Sequence, residues 1–476
     1  MKVSMSSFLI RQKPILKRIV SILSEKYKYV SILGTDTKGK LYKVQKNSID
    51  FSDSSWCERG FVIRVHNGVN YSEFSFNEIN EMNINTLVDE IHFSISSTLQ
   101  KLKNASIKVN SYDIIEETVI KEEFLAEVTT LPTYLSSKEK IEKMCSIKDS
   151  ALNCSDLLVD FRVVYHEVHV SKIFISNNKE LDQSYIWSEG YLISIVRRDD
   201  NTKYAYEAFS GLKATELLCE MKNGIEKVVK TSIELLDAKS VIPGEYEVIC
   251  CPDITGLIAH EAFGHGVEMD MFVKERAKAI EYIGESVASK LVTMHDGAAA
   301  VSNISSYLFD DEGVLGTDTI VIDKGELKTG ISDMLSALKL GTKPTGNGKR
   351  ESFERKAYAR MTNTFFAAGR DNLEDMIASV KKGYILEGCM SGMEDPKNWG
   401  IQCILLQGRE IINGKLTGEV ISPVIMTGYV PDVLKSISMV SESVELFGSG
   451  ACGKGYKEYV KVSDGGPYIK AKVRLG

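Results

Sequence analysis

Three runs rich in β-branched and aromatic residues follow one another between positions 157 and 210: FRVVYHEVHVSKIFI, YLISIVRR and TKYAYEAF. Such side chains suit a pleated, half-buried surface. No helical pattern separates them, so they do not belong to βαβ units, and the expected fold class is α+β. Residues 29 to 76 add shorter alternating runs. Asp36 to Gly39 reads as a turn between two of them, and Asn67-Gly68 as a hairpin centre between FVIRVH and VNYSEFS. Leu9, Ile10, Ile15, Leu16, Ile19, Val20 and Leu23 recur at helical spacing and predict a helix over 8–24. A second helix is expected near 86–103. A long amphipathic one is expected over about 213–237, closed by Ile242-Pro243-Gly244. Beyond it lie a buried strand (EYEVICC), a short helix from near Ile254, and hairpins centred on Asp323-Lys324-Gly325 and Asn413-Gly414.

The 476 residues exceed what one core usually supports. The proline-glycine break at 243–244 therefore divides the chain into an N-terminal domain, 1–240, built of helices and hairpins, and a β-rich C-terminal domain, 241–476. The net charge of -7 gives no basic surface for nucleic acid. The first twenty residues are interrupted by Arg11, Gln12, Lys13 and Lys17, so they do not read as a secretory signal. No run is long and apolar enough to predict a membrane span. Nine cysteines, odd in number and without a CxxC pair, predict neither a disulfide framework nor a zinc ribbon. A reducing cytoplasm fits them best.

Two of only seven histidines lie in His260-Glu261-Ala262-Phe263-Gly264-His265, an HExxxH arrangement. Given the seven histidines and 65 acidic residues, chance would supply on the order of 0.01 such matches. The zinc-protease motif HExxH separates its histidines by four and so places them on one helical face. A spacing of five turns the second ring away by roughly 140° on a regular α-helix. Both rings reach one ion only if the helix widens into a π-type bulge or stops between them, and Gly264 and Gly266 flank His265 as the means. Catalytic zinc takes three protein ligands and leaves one position for water, from which Glu261 is placed to take a proton. Cys452, in FGSGACGKG, is the favoured third ligand, because glycines on both sides permit close approach and a thiolate binds zinc well. The same stretch spells GxxxxGK from Gly448 to Lys454, the outline of a phosphate loop. Gly455 stands where that loop needs Ser or Thr, and too little chain follows for a nucleotide-binding sheet. His166 and His169, three apart in a strand, point to opposite faces and form no chelate. His66, His92 and His295 read as structural. Cys250 and Cys251 read as buried side chains, and Asp310-Asp311 as a turn, with a place in the site as the alternative.

The segments LIAHEAFGHGVEMD, FDDEGVLGTDTIVIDKGELKTGISD, PTGNGKRES, ARMTNTFFAAG, GACGKGYK and SDGGPYIK together resemble the TldD/PmbA family of metallopeptidases. The likeness is to the TldD-like branch that keeps the zinc motif. It is dense from about 245 onward and looser before, where ERGFVIRVHNGVNYSEFS resembles the family's second β-segment. The resemblance implies one zinc ion per chain held by His260, His265 and Cys452, with Glu261 as the catalytic base. It implies hydrolysis of unfolded or short peptides in the cytoplasm, bound as an added strand in a cleft between the two domains. It also implies a homodimer or a heterodimer with a PmbA-like subunit. The alternative is a non-catalytic, peptide-binding subunit of such a complex. The loop GSGACGKGYKEY departs from the family pattern, and Tyr456 and Lys457 are expected to narrow or charge the substrate channel. The family has been linked to DNA gyrase modulation, and the acidic charge here gives direct DNA binding no support.

Overall fold

The computed structural model describes residues 1–105, 109–454 and 458–476. The three β-rich runs form the long strands Leu158–Ser176, Lys179–Arg198 and Asn201–Gly211, paired antiparallel in sequence order. Val30–Val44 and Glu58–His66 extend this into an eight-stranded sheet. Period-two alternation decides what covers each face. Odd-numbered Phe161, Val163, Tyr165, Ile173 and Ile175 face helices. Ser7–Ser24 and Ile84–Asn104 cover one end of that face, and Ser137–Leu152 and Ile225–Glu234 the other. Even-numbered Val168, Val170 and Phe174 pack instead against Ile304 and Phe309 of the second half of the chain.

From Gly244 a second sheet begins. Gly244–Cys250 pairs with Lys382–Asp395 and with Ile469–Leu475, and the latter with Val424–Tyr429. Gly400–Ile412 pairs with both Val424–Tyr429 and Lys382–Asp395, which closes five strands into a ring. The molecule is thus a strand-rich α+β fold. The helix Pro252–Ala259 follows the first strand of the ring and packs on Ser463–Gly466. A Cβ at Gly256 would lie 2.5 Å from the Gly465 nitrogen, so only glycine allows the two backbones this close.

Asn413-Gly414 and Lys324-Gly325 all take positive φ and make the expected tight hairpins. Two local expectations fail. Asp36 to Gly39 is no turn, because Val30–Val44 runs straight through it, paired along its length with Leu158–Ser176. Gly39 serves close packing there: a Cβ would sit 2.6 Å from the Glu167 carbonyl. The helix expected over 213–237 is broken into Leu217–Met221 and Ile225–Glu234 by a short 3-10 turn at Lys222–Gly224. A side chain at Gly224 would strike the Phe209 ring at 2.7 Å, so the break lets the helix settle on the sheet.

Candidate metal centre

The helix Pro252–Ala259 does widen where the histidine spacing demands it. His260–Gly264 is a π-helical turn, followed by a 3-10 turn at His265–Val267. The extra residue per turn brings the two imidazoles onto one side. Their ring centroids are 5.1 Å apart and their planes are nearly perpendicular. Gly264 is needed at the bulge, since a Cβ would fall 2.0 Å from Met361 Sδ.

Cys452 arrives on the hairpin Cys452–Lys454 and Glu458–Val460. Its Sγ lies 3.3 Å from His265 Nε2, and donor atoms of His260, His265 and Cys452 all fall within 4.8 Å of one another. Glu261 is buried beside them. The Gly448–Lys454 stretch is no phosphate loop. Lys454 Nζ is taken up by Glu268, Asp270 and the Ala359 carbonyl, and among the described residues a strand, not a helix, comes next. Gly455, Tyr456 and Lys457 lie outside the described residues.

A carboxylate lies behind each ring. Glu268 Oε2 is 3.2 Å from His265 Nδ1, which leaves Nε2 directed at the sulfur. Asp464 Oδ2 is 3.5 Å from His260 Nδ1, too long for a good hydrogen bond, and that nitrogen has no other partner. Burial opposes charge on His260, yet Cys452 and Asp464 outweigh it and push the imidazole up to about 9. Burial likewise opposes charge on His265, and Cys452 and Glu268 raise it well above the ordinary imidazole range. Burial alone would raise the Cys452 thiol, but the two imidazoles hold it well below its ordinary range. Burial and the nearby Glu261 carboxylate push Asp464 up to about 6 against the pull of His260. A thiolate facing two imidazoles, one with an orphaned nitrogen, is a donor set suited to zinc. Each ring is backed by a carboxylate, as metal-bound histidines usually are.

Three neighbours are absent from the residues singled out in the sequence above. Glu268, three residues after His265 on the same turn, was open to discovery from helical spacing. Asp464 and Glu394 were not. Glu394 sits on the strand Lys382–Asp395, and neither buried carboxylate oxygen has a hydrogen-bond partner. Burial pushes its carboxyl up, His265 opposes, and Glu261 and Glu268 reinforce the rise.

The remaining histidines have partners elsewhere. His166 bonds Ser54 and Glu189, and His169 bonds Ser184, on opposite faces of one strand as expected. His66, His92 and His295 pair with the Tyr112 carbonyl, Tyr27 and Asp318. Cys250 and Cys251 are buried. Asp310 accepts from the Glu312, Val314 and Gly348 amides, which makes it the anchor of a buried turn.

Residues 243–473 match the model of the PmbA/TldA metallopeptidase C-terminal domain. A metalloprotease of Methanocaldococcus jannaschii is 29% identical over 383 residues, covering 78% of this chain and 83% of its own. Residues 243–473 thus carry the C-terminal domain of the TldD/PmbA family. A second relative, a zinc metalloprotease TldD homolog of Saccharolobus solfataricus, is 26% identical over 71% of this chain and 75% of that one. The crystal structure of TldE from Thermococcus kodakarensis superposes with a TM-score of 0.72 at 17% identity, over 97% of this chain and 99% of the other. The TldD/PmbA fold therefore extends across both halves. No helix among the described residues is long and apolar enough to cross a membrane.

Proposed function

We propose that this chain is a zinc-dependent peptidase of the TldD-like branch, acting on unfolded or short peptides in the cytoplasm. The convergence of His260, His265 and Cys452 within 4.8 Å, beside a buried Glu261, carries the reading. His260 and His265 offer imidazole nitrogens and Cys452 a thiolate, enough for one zinc ion per chain. When bound, zinc supplies a Lewis acid that polarises a peptide carbonyl and acidifies water. Glu261 is the general base: its carboxylate takes a proton from attacking water and passes it to the departing amine. Glu268 and Asp464 fix the two rings. Residues 1–240 and 241–476 act as two domains with the peptide between them. The molecule pairs with itself or with a PmbA-like subunit, a reading supported by the family of its C-terminal domain.

The test is digestion of a peptide mixture followed by mass spectrometry, with a chelator control, beside zinc analysis of the purified chain. Zinc near one per chain and chelator-sensitive cleavage are expected. Glu261→Gln should keep the zinc and lose cleavage, and retained cleavage in that variant would overturn the base assignment. Peptide binding without turnover in the wild type would instead mark a peptide-holding subunit.

A further inference from the structure

We propose that Arg360 is a positioning residue for the metal centre: one buried guanidinium sets both the Cys452 hairpin and the His265 ring. The inference rests on the zinc reading of the three ligands given above.

Cys452 lies among glycines at 448, 450 and 453, and Gly450 has φ +92°. A loop so poor in side chains cannot fix its own backbone, because glycine keeps the most conformational freedom. The sulfur must be held in place by something outside the loop. Arg360, 1% exposed, is that outside part. Its Nη2 donates to the Cys452 carbonyl at 2.7 Å, and its Nη1 to the Glu458 carbonyl at 2.8 Å. It therefore grips both strands of the hairpin, and one grip is on the ligand residue itself.

The third nitrogen faces the other ligand. Nε lies 3.4 Å from Glu268 Oε1, an ion-pair contact without hydrogen-bond geometry, while Oε2 of the same carboxylate reaches His265 Nδ1. A planar guanidinium with five N–H donors can serve two carbonyls and a carboxylate at once. Lysine, a point charge with three donors on a tetrahedral nitrogen, cannot reproduce that fan. Arg360 is fixed in turn by Asn347, whose carbonyl accepts from the Arg360 amide at 2.9 Å and whose side-chain amide donates to the Arg360 carbonyl at 3.0 Å. Lys454 adds a tie from the hairpin to the Ala359 carbonyl at 3.1 Å. The geometry of the centre is thus stored in the segment 347–360, between the ligands in sequence, and Arg360 transmits it to both.

A purely structural arginine would affect folding and leave the metal's surroundings unchanged, so the readout must report coordination. Cobalt(II) is titrated into the metal-free full chain of wild type, Arg360→Lys and Glu268→Gln. Affinity is read by chelator competition, and the thiolate-to-cobalt charge-transfer and ligand-field bands are recorded. Circular dichroism reports the fold. Arg360→Lys should remain folded, bind cobalt about 10–100-fold more weakly, and show a weakened, shifted thiolate band. Glu268→Gln should weaken binding through the His265 ring while keeping that band, since Arg360 still holds the Cys452 and Glu458 carbonyls and Lys454 still reaches Asp270. Wild-type affinity and spectrum in Arg360→Lys would overturn the proposal. If that variant does not fold, wild-type affinity in Glu268→Gln would overturn the coupling to His265. A wild-type chain that takes up no cobalt would defeat the metal reading itself and the role of Arg360 with it.

Discussion

Gly392 faces the proposed base from the strand Lys382–Asp395. A Cβ placed there would lie 2.5 Å from Glu261 Cγ, 2.7 Å from Glu261 Oε1 and 2.7 Å from Leu257 Cδ1. Ordinary contact begins near 3.4 Å, so Gly392→Ala must drive the glutamate back by roughly 1 Å. Leu257 is buried in the core and has little room to yield, whereas a glutamate side chain swings at small energetic cost. Overpacking of this kind costs about 1–3 kcal/mol of stability. Misplacing a reacting group by about 1 Å costs on the order of 100-fold in rate. That is about 2.7 kcal/mol of barrier. The three atoms nearest the new methyl belong to Glu261 and Leu257, so zinc content should stay near that of wild type. The assay is kcat on a fluorogenic peptide, alongside zinc by mass spectrometry of the purified chain. Wild-type turnover at full zinc content would refute the claim that this strand holds Glu261 in place. Loss of zinc would show that the strain reaches the ligands.

Cys452→Ser replaces a thiolate with a neutral hydroxyl and should weaken zinc by more than about 100-fold, beyond what loss of an outer partner costs; competition with a chromophoric chelator measures it. Glu394→Gln should stabilise the metal-free chain at neutral pH by about 1–3 kcal/mol, because the neutral amide cannot ionise and so loses the cost of burying a carboxyl that would be charged in the unfolded chain. The folded carboxyl is raised, so wild-type stability falls as pH climbs above the unfolded value near 4.3. The advantage of the variant should therefore grow from about pH 4.3 upward, and urea unfolding that shows a pH-independent gain would contradict this. Gly39→Ala forces a methyl to 2.6 Å from the Glu167 carbonyl and should lower the urea midpoint by about 1–3 kcal/mol of stability with the slope unchanged.

Much of the fold was legible because strand alternation and hairpin turns are local. Asn413-Gly414 and Lys324-Gly325 are hairpin turns whatever surrounds them. Asp36 to Gly39 misled because its residue types suit a turn, while pairing over fourteen positions with Leu158–Ser176 overrode them. The break at Gly224 was likewise invisible, since it answers to Phe209 on another element. At the site, the spacing of five between His260 and His265 left a π-type bulge or a helix end as the ways to one ion, and the structure takes the first.

The order of the residues by itself placed two imidazoles and the carboxylate proposed as base within six positions, and required the helix to widen or stop if both rings are to reach one ion. The tertiary structure alone decided that Cys452, 187 residues beyond His265, meets them, that Glu268 and Asp464 lie behind the rings, that Arg360 bonds the Cys452 carbonyl, and that Gly392 lies against Glu261. Those contacts depend on the ring of strands closing and on Gly256 letting the helix sit against Gly465, and no local pattern encodes a distance between elements that far apart along the chain.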